Sequence, residues 1–143
     1  MADQHRSGLS IRTPDQRLEV SFAWSGDRFF HQIFVDQIVV ATSLEGSPED
    51  AWPPSPPLQQ LSAEQVRGAD VILGVGAAGR SHWSISVETA SVDDLYAIKF
   101  DLACLYAAES QFIGSTYRLL KSLHLSALDG GTTICLLYTS PSP

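Results

Sequence analysis

An all-β fold, an antiparallel sandwich or partly open barrel, is predicted by three observations on this chain of 143 residues. Apolar side chains recur with period two along most of it, turn-forming residues separate those runs at short intervals, and no long stretch keeps a helical period. At this length a single domain is expected. A hydrophobic content of 44% supplies enough apolar surface for a real core.

Leu9 to Arg12 reads as a short first strand. Leu18, Val20, Phe22 and Trp24 then share one face, and Glu19, Ser21 and Ala23 the other. Ser25-Gly26-Asp27 supplies a turn, after which Phe29, Ile33 and Val35 alternate with Phe30, Gln32 and Phe34. That is a hairpin signal. A second turn at Asp36-Gln37 leads into Ile38 to Thr42 and completes a three-stranded meander.

Composition shifts abruptly from Ser47 to Leu58, where Pro53, Pro54, Pro56 and Pro57 remove backbone donors and fix φ. This proline-rich connection, residues 47–58, belongs in polyproline II rather than inside a sheet. Its P-x-x-P spacings allow an adaptor role toward an SH3 or WW module. No basic residue flanks the prolines and Trp52 stands beside them, so the reading adopted is a stiff strap lying across a sheet, with Trp52 plugging its end.

Ala63 to Val66 suits a helical turn capped by Ser62, although a strand is also compatible. Alternation returns at Val71 to Val75. Gly76-Ala77-Ala78-Gly79 is read as a hairpin loop before Ser81 to Glu88, where Trp83, Ile85 and Val87 face one way and His82, Ser84, Ser86 and Glu88 the other. Asp93 to Ala103 gives another strand, with Tyr96, Ile98, Phe100 and Leu102 on one face. Gly114 to Leu120 fits a strand or the start of a helix running toward Leu128.

A formal charge of −7 disfavours nucleic acid, whose backbone is held by lysine and arginine displacing counterions. The N-terminal residues lack the apolar core of a signal peptide, and no apolar run approaches the ~18 residues of a membrane span, so a cytoplasmic location without membrane contact is expected. Two cysteines are present, Cys104 and Cys135. Cys104 follows Phe100 and Leu102 at two-residue spacing and is read as a buried apolar cysteine.

Gly74-Val75-Gly76-Ala77-Ala78-Gly79 matches the G-x-G-x-x-G dinucleotide fingerprint, but that chemistry needs the third glycine to open a helix. The run that follows, through His82, Trp83 and Ile85, is a strand. No nicotinamide cofactor is expected, and the glycines are assigned to a hairpin that bulges and turns. His82 and Ser84 invite a nucleophilic reading, yet residues i and i+2 stand ~6.6 Å apart along a strand and Glu88 lies ~20 Å from His82. A partner from elsewhere, such as His31 or Asp101, is conceivable, but no G-x-S-x-G motif marks a nucleophile. The histidines at positions 5, 31, 82 and 124 show no metal-ligand spacing. No catalytic residue, metal site or cofactor is therefore assigned.

Three segments, Glu49 to Leu58, His82 to Glu88 and Phe100 to Cys104, resemble a set of uncharacterised bacterial β-rich proteins with no assigned activity. The resemblance implies a compact family fold and transfers no functional residue. The final run Cys135 to Pro143, CLLYTSPSP, resembles a translated transposase sequencing adapter. Residues 1–134 are accordingly expected to form the native β-rich domain, truncated before its last one or two strands, with 135–143 as a non-native tail.

The leading functional reading is a noncatalytic binding or interaction module for an unknown protein or small molecule, with its surface at Arg80, His82 and Ser84 and with Trp52 closing the edge. Polar groups at a strand end beside a loop of little side-chain bulk leave room for a ligand. The alternatives are a hydrolase or isomerase with a pocket at a sheet end, using residues such as His82 or Arg80, and an adaptor recruited through the proline-rich segment.

Overall fold

The structure, a computed structural model, describes residues 7–106 and 109–120, and the backbone of 123–127 and 134–138. It is an antiparallel β-sandwich, not a barrel. Sheet A has the order β1-β2-β3-β4-β9, with β1 Leu9–Arg12, β2 Leu18–Ser25, β3 Arg28–Val35, β4 Ile38–Ser43 and β9 Tyr117–Leu119. Sheet B has the order β5-β6-β7-β8, with β5 Gln60–Val66, β6 Ala69–Ala78, β7 Ser81–Val92 and β8 Leu95–Leu105. A separate hairpin pairs β10, Leu123–Ala127, with β11, Ile134–Tyr138. The junction expected at residue 134 falls on the first residue of β11, and residues 139–143 lie outside the described residues. No helix among the described residues is long and apolar enough to cross a membrane.

The turns follow from backbone chemistry. Asp36-Gln37, Arg67-Gly68 and Asp93-Asp94 each carry two successive positive φ values, the pair that a tight type I′ hairpin requires. Asp93 was expected inside a strand. Its small polar side chain tolerates the left-handed region, so β7 runs on to Val92 and the chain reverses at Asp93-Asp94. The segment 63–66, for which a helical turn was considered, is strand: β5 pairs with β6 from Gln60↔Val75 to Val66↔Ala69. The undecided stretch after Gly114 yields the short strand β9, paired to β4 through Ser43↔Tyr117.

The core lies between the sheets. Sheet A contributes Ile11, Val20, Phe22, Phe29, Ile33, Val35 and Val40, and sheet B contributes Ile72, Ile85 and Val87, with Leu58 of the strap among them. The strap ties the sheets together at one corner. The Phe29 amide donates to the Leu58 carbonyl at 2.8 Å, and the next amide, that of Gln59, donates to the Val75 carbonyl at 2.8 Å. Gln59 then imitates a strand residue with its side chain: Nε2 donates to the Ala77 carbonyl at 3.1 Å and Oε1 accepts from the Ala77 amide at 3.0 Å. Pro53, Ser55, Pro56, Pro57 and Leu58 are buried, and Ser55 Oγ holds both the amide and the carbonyl of Thr116.

That crossing explains a glycine the sequence reading misplaced. Gly76 is not in the hairpin loop; it sits inside β6 opposite Trp83, and the turn is the shorter Gly79-Arg80, with Gly79 at φ +57°. A Cβ on Gly76 would fall 1.5 Å from the Pro57 carbonyl oxygen. Only glycine lets the strap backbone lie this close to the strand.

Candidate functional site

Sheet B has one face in the core and one in solvent. Strictly alternating side chains on β7 put Ser81, Trp83, Ile85 and Val87 inward, all buried. His82, Ser84, Ser86 and Glu88 point outward in a polar column. The register places flanking columns beside it. Ala77, Val75 and Leu73 of β6 stand opposite His82, Ser84 and Ser86 on one side, and Leu105, Ala103 and Asp101 of β8 stand opposite them on the other.

An open depression of about 630 Å³ occupies the upper end of this face. Its walls are Val75 and Ala77 on one side and Ala103 and Leu105 on the other, with His82 and Ser84 between them and Gln59 at one end. Small residues at 77, 84 and 103 keep the sheet surface low there, while Val75 at 47% and Leu105 at 74% exposure leave apolar rims in water. Neither the His82 nor the Arg80 side chain makes a hydrogen bond or ion pair among the described residues.

The four residues singled out from the sequence do not form one site. His82 and Ser84 share the depression. Arg80 is exposed in the turn and does not line it. Trp52 lies on the opposite side of the sheet, half-buried, with its ring 6.2 Å from Trp83 and 6.0 Å from Tyr106 in edge-to-face contacts. It closes the strap end of the sandwich from within. The room expected beside the glycines is taken on the inner side by Pro57, so only the outer side of β6 is open.

His31 cannot serve His82 as a partner, because it is in the core on the inner face of sheet A, 2% exposed. Its ring sits 5.1 Å from Phe22 and 5.6 Å from Phe100, and Nε2 is 2.6 Å from the Tyr117 hydroxyl. Burial lowers its pKa from 6.5 to about 4, which keeps the imidazole neutral. Burial also pushes the Tyr117 phenol well above its ordinary value. Asp101 does share the outer face with His82, but it stands opposite Ser86 rather than beside the histidine.

Sequence reasoning missed a second polar group, on sheet A at the C-terminal end of β4. The His31 amide donates to Ser43 Oγ at 3.0 Å, and Ser43 Oγ donates to Glu45 Oε2 at 2.7 Å. Burial raises the Glu45 pKa from 4.5 to about 7, opposed by the Ser43 hydrogen bond and the Arg28 charge. Glu45 Oε1 and Arg28 Nη1 are buried without a hydrogen-bond partner among the described residues. Glu45 also lines a shallow depression of about 500 Å³ with Phe30, Thr42 and Arg118. The signal for this group was local: His31 occupies an inward position between Phe29 and Ile33, and a polar residue in an apolar column needs partners.

Cys104 is free and half-buried, opposite Trp83. Burial pushes its thiol up, with a Ser81 hydrogen bond acting against the shift, so the nucleophilic thiolate is disfavoured. No group of three histidine, cysteine, aspartate or glutamate side chains suited to a metal ion occurs among the described residues. The geometry defines a class, an antiparallel β-sandwich with a solvent-facing sheet surface. No protein family, curated protein or solved structure matches this chain.

Proposed function

We propose that the chain is a noncatalytic binding module whose ligand rests on the outer face of sheet B, over His82 and Ser84. One observation carries the reading: a polar pair is set between two apolar walls on a rigid, hydrogen-bonded surface that the fold itself does not need. The complementary ligand is amphipathic, an apolar side chain or ring that covers Val75, Ala77, Ala103 and Leu105 and places a hydrogen-bonding group over the histidine and serine. Chemistry is disfavoured there because His82 has neither an orienting acid nor an activated hydroxyl beside it. A proline-mediated adaptor role is disfavoured because Pro53, Pro56 and Pro57 are buried under the strap's own contacts.

The test is a screen of small amphipathic fragments against isotope-labelled protein. Amide shifts should cluster at residues 75–77, 82–84 and 103–105, and Ser84→Trp, which fills the depression, should remove them. Shifts centred on the inner face or the strap, or shifts indifferent to Ser84→Trp, would refute the reading.

Glu45 favours a second reading, a hydrolase or isomerase. A half-sealed carboxyl held near pKa 7 is poised for proton transfer at neutral pH. Turnover of a substrate that disappears in Glu45→Gln but survives Ser84→Trp would establish that reading over the first.

A further inference from the structure

Four strands end the two sheets, β1 and β9 in sheet A and β5 and β8 in sheet B. Three are blunted in the ways that prevent edge pairing. β1 has 4 residues and β9 has 3, and β5 exposes Gln60, Ser62, Glu64 and Gln65. β8 is different. It runs 11 residues without proline, glycine or bulge, and among the described residues nothing pairs with the edge facing away from β7.

The order of residues along β8 is self-complementary about Phe100. Laid antiparallel to a second copy with Phe100 opposite Phe100, it sets Lys99 against Asp101, Ile98 against Leu102, Ala97 against Ala103, Tyr96 against Cys104 and Leu95 against Leu105. A two-fold axis produces every one of these pairs twice. Lys99 and Asp101, whose Nζ and Oδ2 already stand 3.6 Å apart within one chain, would meet their counterparts on the outer face, where their side chains are 51% and 62% exposed. Leu95 at 68% and Leu105 at 74%, the most exposed large apolar residues described, cover each other at both ends.

Register is specified as well as allowed. Opposed residues must share a face, so the nearest alternative registers shift the pairing by two in the sum of residue numbers. One of them puts Lys99 opposite Lys99, and the other puts Asp101 opposite Asp101. Like charges directly opposed are destabilising, so each neighbouring register is penalised and only the Phe100-centred one matches every pair.

We infer that the chain forms a two-fold dimer through antiparallel pairing of β8 with β8 of a second copy, joining the two four-stranded sheets into one continuous sheet. The inference does not rest on the ligand reading, although Ala103 and Leu105 of β8 also wall the depression; its test reads association alone. Sedimentation of the full chain across the micromolar range tests it. The wild type should be a dimer. Lys99→Asp and Asp101→Lys each place like charges at both crossed pairs and should weaken association by roughly tenfold to a hundredfold. The double exchange Lys99→Asp/Asp101→Lys restores opposite charges and should recover the dimer. Thermal melts keep the comparison clean, because both side chains are exposed and the separate variants should stay folded. A monomeric wild type would overturn the inference, as expected if β8 is instead covered by another segment or a different protein. A dimer indifferent to either reversal, or one that the double exchange fails to recover, would also overturn it.

Discussion

The two faces of β7 are made by one strand and obey different rules. Ser81, Trp83, Ile85 and Val87 are fixed by what they touch: the core, the strap and Trp52. His82, Ser84 and Ser86 touch little, and the fold would form with other residues in their places. A buried face reports how a protein holds together; an exposed face that is not simply charged reports what it meets. Substitutions that strike one face and spare the other separate the two roles.

Gly76→Val should have the largest effect. Its β-branched side chain cannot share space with the Pro57 carbonyl, so the strap must detach and Leu58 must leave the core. Loss of cooperative melting is the expected result, and a variant melting like the wild type would mean that the strap does not cross β6. Trp83→Ala comes next. Trp83 is 2% exposed, and truncating a buried tryptophan costs about 3 to 5 kcal/mol, measurable by chemical denaturation.

The pH response is smaller and comes from the His31–Ser43–Glu45 group of sheet A. His31 has a folded pKa of about 4 against 6.5 ordinarily, so as pH falls from 6.5 to 4 the unfolded chain takes up a proton that the folded chain refuses, and stability is lost. Glu45 acts in the other direction. Its folded pKa of about 7 against 4.5 means that the folded chain holds a proton the unfolded chain lacks, so its contribution is present at low pH and lost as pH rises toward 7. The two oppose each other in their shared window. Stability of the wild type should therefore change little there, whereas Glu45→Gln should expose the histidine effect and lose stability steadily from pH 6.5 to 4. Parallel denaturation curves for the two proteins across that range would contradict the assignment.

The sequence was legible wherever a strand had one wet and one dry face. Val20, Phe22 and Trp24, or Trp83, Ile85 and Val87, announce themselves by period two because burial alternates along them. β5 was ambiguous for the opposite reason. Most of its side chains are exposed, so no alternation records the strand, and only pairing with β6 defines it. The function of Gly76 was illegible because it depends on Pro57, distant in sequence and adjacent in space. Trp52 belongs to the strap in sequence, but which side of sheet B it meets depends on that same crossing. His82 and Ser84 could be assigned to an outer face from alternation alone, while their apolar walls needed the register of β6 and β8.

The smallest effect on stability is expected where binding should suffer most. In His82→Ala/Ser84→Ala, thermal melting and fragment-induced amide shifts can be recorded on the same labelled sample. Stability within about 0.5 kcal/mol of the wild type is expected, as for surface changes generally, with the shifts at residues 75–77 and 103–105 lost. A clear drop in melting temperature with those shifts retained would contradict it, and would make the outer face of β7 part of the scaffold.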